Sequence, residues 1–217
     1  MSFFRNIHHE HDPIWHVELI VLAVIVLQLI LPDRFAFGVH WLLPALEVVL
    51  ALLLLATTPR EKIFQSLKHR INVVLLLAAI ALSNLYALGR VASQLLQSGR
   101  INNGHELILT AINIYLTNII VFALLYWEMD GGGPGNRHAA SDEERDFLFP
   151  QRSVPALHEW RPTSIDYLYV SSTNATAFSP TDTLPLSRRA KMLMLVQSVV
   201  SLVVVALVAA RAVNILN

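Results

Sequence analysis

Residues 192–216 read MLMLVQSVVSLVVVALVAARAVNIL, a stretch with one charge, Arg211, near its far end. About 20 mostly apolar residues suffice to cross some 30 Å of hydrocarbon at 1.5 Å per residue. Backbone amides in lipid have no water to pair with, so such a run must satisfy them internally as a helix. Working back toward the N-terminus, the same signature recurs. Residues 107–127 read LILTAINIYLTNIIVFALLYW and end in the aromatic pair Tyr126 and Trp127, suited to a membrane–water boundary. Residues 71–88, INVVLLLAAIALSNLYAL, have a helical pattern that continues toward Leu96. Residues 39–57, VHWLLPALEVVLALLLLAT, contain a kinking Pro44, and residues 14–31 read IWHVELIVLAVIVLQLIL. The pattern predicts an all-α integral membrane fold of about five transmembrane helices.

Composition agrees. The 217 residues are 54% hydrophobic and 15% charged, against about 25% charged in a soluble domain. Zero net charge leaves no electrostatic footprint for nucleic acid. The absence of cysteine excludes disulfides and thiolate metal sites. The first apolar run has no small-residue cleavage site after it, so it is expected to be retained as a helix rather than removed as a signal peptide.

Four regions follow: a polar tail, 1–13; a four-helix transmembrane region, 14–128; a polar loop, 129–162; and a final unit, 163–217. The loop carries GGGPG and the acidic run SDEERD. The glycines have neither a preceding strand nor a following Lys-Ser/Thr, so they do not form a phosphate loop. The acidic run is expected to be solvated. In the tail, His8, His9 and His11 flank Glu10 without the spacing of a helical metal motif, and no metal or cofactor site is expected. No nucleophile–base pair or spaced carboxylate pair stands out, so enzymatic activity is not expected.

The segment 163–180, TSIDYLYVSSTNATAFSP, is too short and too polar to span. Thr163 or Ser164 can cap a helix with Asp166 in its first turn, and Ser179-Pro180 is a turn signal. The expected layout is span, re-entrant or interfacial half-helix, turn, span. Non-helical backbone at membrane depth must be buried in protein or line a watery cavity.

The string Thr176-Ala177-Phe178-Ser179-Pro180-Thr181-Asp182-Thr183-Leu184-Pro185, with its LVAARAVNIL ending, resembles the pore module of bacterial two-helix potassium channels over the C-terminal quarter of the chain. Their filter has the form T-x-V-G-Y-G-D-x-x-P, and Thr176, Asp182 and Pro185 fall in register with it. Ser179 and Thr181 replace the two filter glycines, and Pro180 replaces the aromatic. Those glycines permit the φ/ψ values that aim carbonyls at an ion, so a polar constriction rather than a carbonyl filter is expected. From about Asp146 onward the chain also resembles an uncharacterised family of five-span bacterial membrane proteins, a likeness that implies no activity.

The resemblance implies a cation-conducting pore in a multi-pass cell-membrane protein, with the bacterial inner membrane as its place. It also implies a homo-oligomer, a tetramer if a pore is formed, with monovalent cations as permeant partners and the lipid bilayer as surroundings. The expected pore or filter residues are Ser172, Thr173, Asn174, Thr176, Phe178, Ser179, Thr181 and Asp182, with Ser171 beside them. Glu47, Asn113, Gln197 and Ser201 are the expected pore-lining or intramembrane polar residues, since ionisable and polar groups in a span are costly. Asn113 and Thr117 share one helix face, and Gln197 and Ser201 another. Such residues also join helices to one another. The alternative expectation is a non-conducting membrane scaffold or accessory subunit.

Arg60, Lys62, Lys68 and Arg70 put the loop after the second run in the cytoplasm. Five spans then place the N-terminus, the 129–162 loop, Arg188, Arg189 and Lys191 inside, and the C-terminus outside. The channel resemblance implies the opposite hand.

Overall fold

The computed structural model describes residues 14–32, 45, 67–97, 104–134, 136–137, 144–157, 160–177 and 182–216. Five helices dominate them: α1, Ile14–Ile30; α2, Leu67–Gln97; α3, Gly104–Met129; α4, Ser164–Ala177; and α5, Arg188–Leu216. Three stretches, Arg70–Leu95, Glu106–Gly132 and Arg188–Ala210, are long and apolar enough to cross a membrane. The apolar run 39–57 lies outside the described residues apart from Ala45, so Glu47 does too.

Local signals set the helix starts. Thr163 caps α4: its N–H and its hydroxyl both donate to Asp166 Oδ2, at 2.7 and 2.8 Å, and its carbonyl accepts from Asp166 N at 3.0 Å. This reciprocal arrangement satisfies donors that a helix end otherwise orphans. Ser187 caps α5, accepting from Ala190 N at 3.1 Å.

Helix α3 is the hub. It packs on all four other helices, and 67% of its most apolar window is buried, against 28% for α2 and 22% for α5. Lipid tails are as apolar as leucine, so burial of apolar surface does little to hold helices together in a bilayer. Carboxamides supply part of the cohesion instead. Asn84 of α2 donates to Ile114 O at 2.9 Å, Asn113 to Leu27 O of α1 at 2.6 Å, and Asn118 to Ser201 Oγ of α5 at 3.0 Å. The bond from Asn84 to Ile114, with Arg70 beside Glu128, makes α2 antiparallel to α3, and the bond from Asn118 to Ser201, with one from Tyr126 to Gln197, does the same for α5.

One buried cluster gathers Val121, Phe122, Leu125, Tyr126, Phe147 and Tyr167 toward the C-terminal end of α3. A second, around Ala87, Val91, Leu107, Ala111 and Val204, fills the opposite end. The short strands β1, Phe147–Leu148, and β2, Leu184–Pro185, pair antiparallel and bring the segments before α4 and after it together.

Candidate functional site

Polar side chains collect in two places. The first is a seam where α3, α4 and α5 meet. Gln197 of α5 is fully buried and uses both ends of its amide. Its Oε1 accepts from Tyr126 OH at 2.5 Å and from Asn174 Nδ2 at 2.9 Å. Its Nε2 donates to Ser171 O at 3.0 Å and Ser171 Oγ at 2.6 Å. Ser171 Oγ donates onward to Ile119 O at 2.6 Å, and Asn174 Nδ2 also reaches Met194 O at 3.0 Å. Ser198 Oγ donates to Asn174 Oδ1 at 3.1 Å. Tyr126 of α3 and Ser171 and Asn174 of α4 thus converge on one amide of α5, and each of these donors finds an acceptor, as burial demands.

The second is a charged knot at the C-terminal end of α3. Asp130 is completely buried. Its Oδ1 accepts from Asp146 N at 2.7 Å and Phe147 N at 3.1 Å, and its Oδ2 from Tyr167 OH at 2.5 Å. Arg137 Nε lies 3.8 Å from the same carboxylate. The Arg137 guanidinium stacks 4.8 Å from the Tyr167 ring centroid and donates to the carbonyls of Trp127, Asp130 and Pro162. Asp146 grips Arg189 of α5 in a fork, at 2.7 and 2.9 Å. Rings of Phe147 and Phe149 pack at 5.2 to 6.2 Å against Tyr126 and Tyr167. Burial first, and then the neighbouring Asp130 carboxylate, holds the Tyr167 phenol well above its ordinary value of 10.0, against the pull of Arg137. The hydroxyl therefore remains a donor to Asp130.

The three leading glycines of the GGGPG string serve this knot as a chain reversal. Gly131, Gly132 and Gly133 all have positive φ, at 58°, 81° and 91°. A Cβ on Gly133 would fall 2.8 Å from Arg70 Nε and 3.1 Å from Glu128 O. Arg70 itself pairs with buried Glu128 at 3.4 Å, tying α2 to α3 at this end. Gly133→Ala is expected to cost about 1–3 kcal/mol of stability. Gly131→Ala, in the milder left-handed helical region, should cost less. Thermal unfolding of the two variants in detergent checks the order.

The expected pore residues are distributed unevenly. Asn174, Gln197 and Ser201 come together in the seam, with Ser171. Asn113 faces α1 instead. Thr173 and Thr176 turn their hydroxyls onto their own helix, donating to Tyr169 O at 2.7 Å and Ser172 O at 2.9 Å, and Ser172 is half-buried beside them. Asp182 is exposed. Phe178, Ser179 and Thr181 lie outside the described residues, as do His8, His9 and His11.

Sequence reasoning missed Tyr126 and Asn118 in the seam and the whole knot. The expected solvated loop is tucked in at Asp146, the last residue of SDEERD, which is fully buried. The apolar run Phe147-Leu148-Phe149 directly after it was the available signal, since aromatic side chains bury large areas and dominate core energetics. Among the described residues no group of three metal-ligating side chains occurs. An apolar crevice of about 10 Å³ between α2, α3 and α5, lined by Val91, Leu107, Ala111 and Leu207, has room for hardly one water.

These features define a helical protein that has, among the described residues, three helices long and apolar enough to cross a membrane. No protein-family model matches the chain, and neither a curated protein nor a solved structure matches it.

Proposed function

We propose that the chain is a multi-pass membrane protein acting as a non-conducting scaffold or accessory subunit that holds a partner within the bilayer. One observation carries this reading. The polar side chains expected to line a conduit from α5, Gln197 and Ser201, point into the protomer's own α3 and α4. The outward face of α5 carries Leu195, Val196, Val199, Leu202, Val203 and Val205, all exposed and apolar. A conduit built around that face would offer an ion no oxygen to replace its hydration shell.

A cation pore is the second reading, favoured by the course of α4. This helix begins beside Asp130, at the C-terminal end of α3, and Asn174 near its far end bonds to Met194 and Gln197, well inside α5. The chain is back beside β1 by Leu184. That course supports a re-entrant half-helix, an arrangement that pores use. On either reading the basic groups Arg70, Arg188 and Lys191 lie at this same end, which supports a cytoplasmic assignment for it.

Purified protein in liposomes is expected to give no protein-dependent flux of potassium or sodium above an impermeant-ion control, and to co-purify with a partner at fixed stoichiometry when isolated from its membrane. Cation flux that falls on replacing Asn174 or Thr176 with a bulky residue would establish the pore instead.

A further inference from the structure

One exposed stripe of α5 changes character abruptly along its length. Arg188, Lys191, Met192, Leu195, Val199 and Leu202 follow one another at helical spacing, and all six are exposed. The stripe is cationic for its first turn and apolar from Met192 onward, the order in which a helix entering a bilayer would meet the headgroups and then the hydrocarbon. Leu184 and Leu186, 52% and 44% exposed, extend the apolar rim just ahead of the helix.

The neighbouring cations are already engaged. Arg189 is held by the fork of Asp146, Arg137 lies in the knot, and Arg70 pairs with Glu128. Arg188 and Lys191 have no carboxylate partner among the described residues. Two free cations on one face, directly before an exposed apolar stripe, complement an anionic headgroup. We propose that Arg188 and Lys191 form a docking site for the phosphates of anionic phospholipids, whose acyl chains lie along Met192, Leu195 and Val199. An aqueous phosphate could reach the two cations but would gain nothing from the apolar stripe below them, and this is why the lipid is the occupant.

The chain has no cysteine, so a single Met192→Cys carries one fluorophore at the boundary. The full chain is placed in phosphatidylcholine liposomes, and quenching by acyl-chain spin-labelled phosphatidylglycerol is compared with that by spin-labelled phosphatidylcholine. Preferential quenching by phosphatidylglycerol is expected. The preference should fall about fivefold with each of Arg188→Gln and Lys191→Gln, and weaken in high salt. The swap Arg188→Lys with Lys191→Arg, which keeps both charges, should retain it. A fluorophore on Leu85→Cys, on the exposed face of α2, should show none. Equal quenching by the two lipids, or a preference that survives loss of both cations, would overturn the proposal.

Discussion

Asp130→Ala should destabilise the protein by about 3–5 kcal/mol, the range for removing one partner from a buried charged set. The carboxylate accepts from two backbone amides and from Tyr167 OH, and it lies beside Arg137. Alanine leaves those donors without their acceptor, and the buried Arg137 guanidinium keeps its backbone carbonyls but loses its counter-charge. Tyr167→Phe removes one donor and should cost about 1–3 kcal/mol. Both changes break the contact between Tyr167 and Asp130, so the double variant should cost less than their sum. Reversible unfolding in detergent measures all three. An Asp130→Ala protein within about 1 kcal/mol of the parent, the size of an ordinary substitution, would mean the knot contributes little.

The same contact sets a pH dependence. The Tyr167 phenol binds its proton more tightly in the folded state, because its value there lies well above the ordinary 10.0. Its contribution is therefore complete below pH 10 and declines above it, as the unfolded chain ionises and the folded one does not. Tyr167→Phe should lose that alkaline decline.

What could be read from sequence followed the range of the interactions. Hydropathy over 71–96, 107–127 and 192–216 marked α2, α3 and α5, because a span announces itself in consecutive residues. The start of α4 was equally legible, since Thr163 and Asp166 cap it across three residues. Helical spacing also put Gln197 and Ser201 on one face. It could not say that this face meets Asn118, Tyr126 and Asn174, as which neighbour a face meets depends on how α4 folds back. The knot was hidden for a similar reason. Asp130, Asp146, Tyr167 and Arg189 are 16 to 43 residues from their partners, and each alone looks like an ordinary polar residue in a loop or at a helix end.

Gln197 separates a structural seam from a conducting one. Its amide makes four hydrogen bonds to three buried residues, Tyr126, Asn174 and Ser171. Interhelical hydrogen bonds in membranes average about 0.6 kcal/mol and reach about 1.7, so Gln197→Leu should cost about 2–4 kcal/mol. The effect should be shared with Asn174→Leu, because the two side chains meet directly. Leu195→Ala, two residues away and 56% exposed, should change stability little, because in lipid its side chain gains no hydrophobic driving force from the bundle. A pore-lining Gln197 would behave in the opposite way: leucine there would change ion flux while stability stayed near that of the parent, since an amide facing water gives up few protein partners. Unfolding and flux measured on the same Gln197→Leu preparation therefore discriminate between the two roles. A large loss of stability with no flux in parent or variant is the expected result.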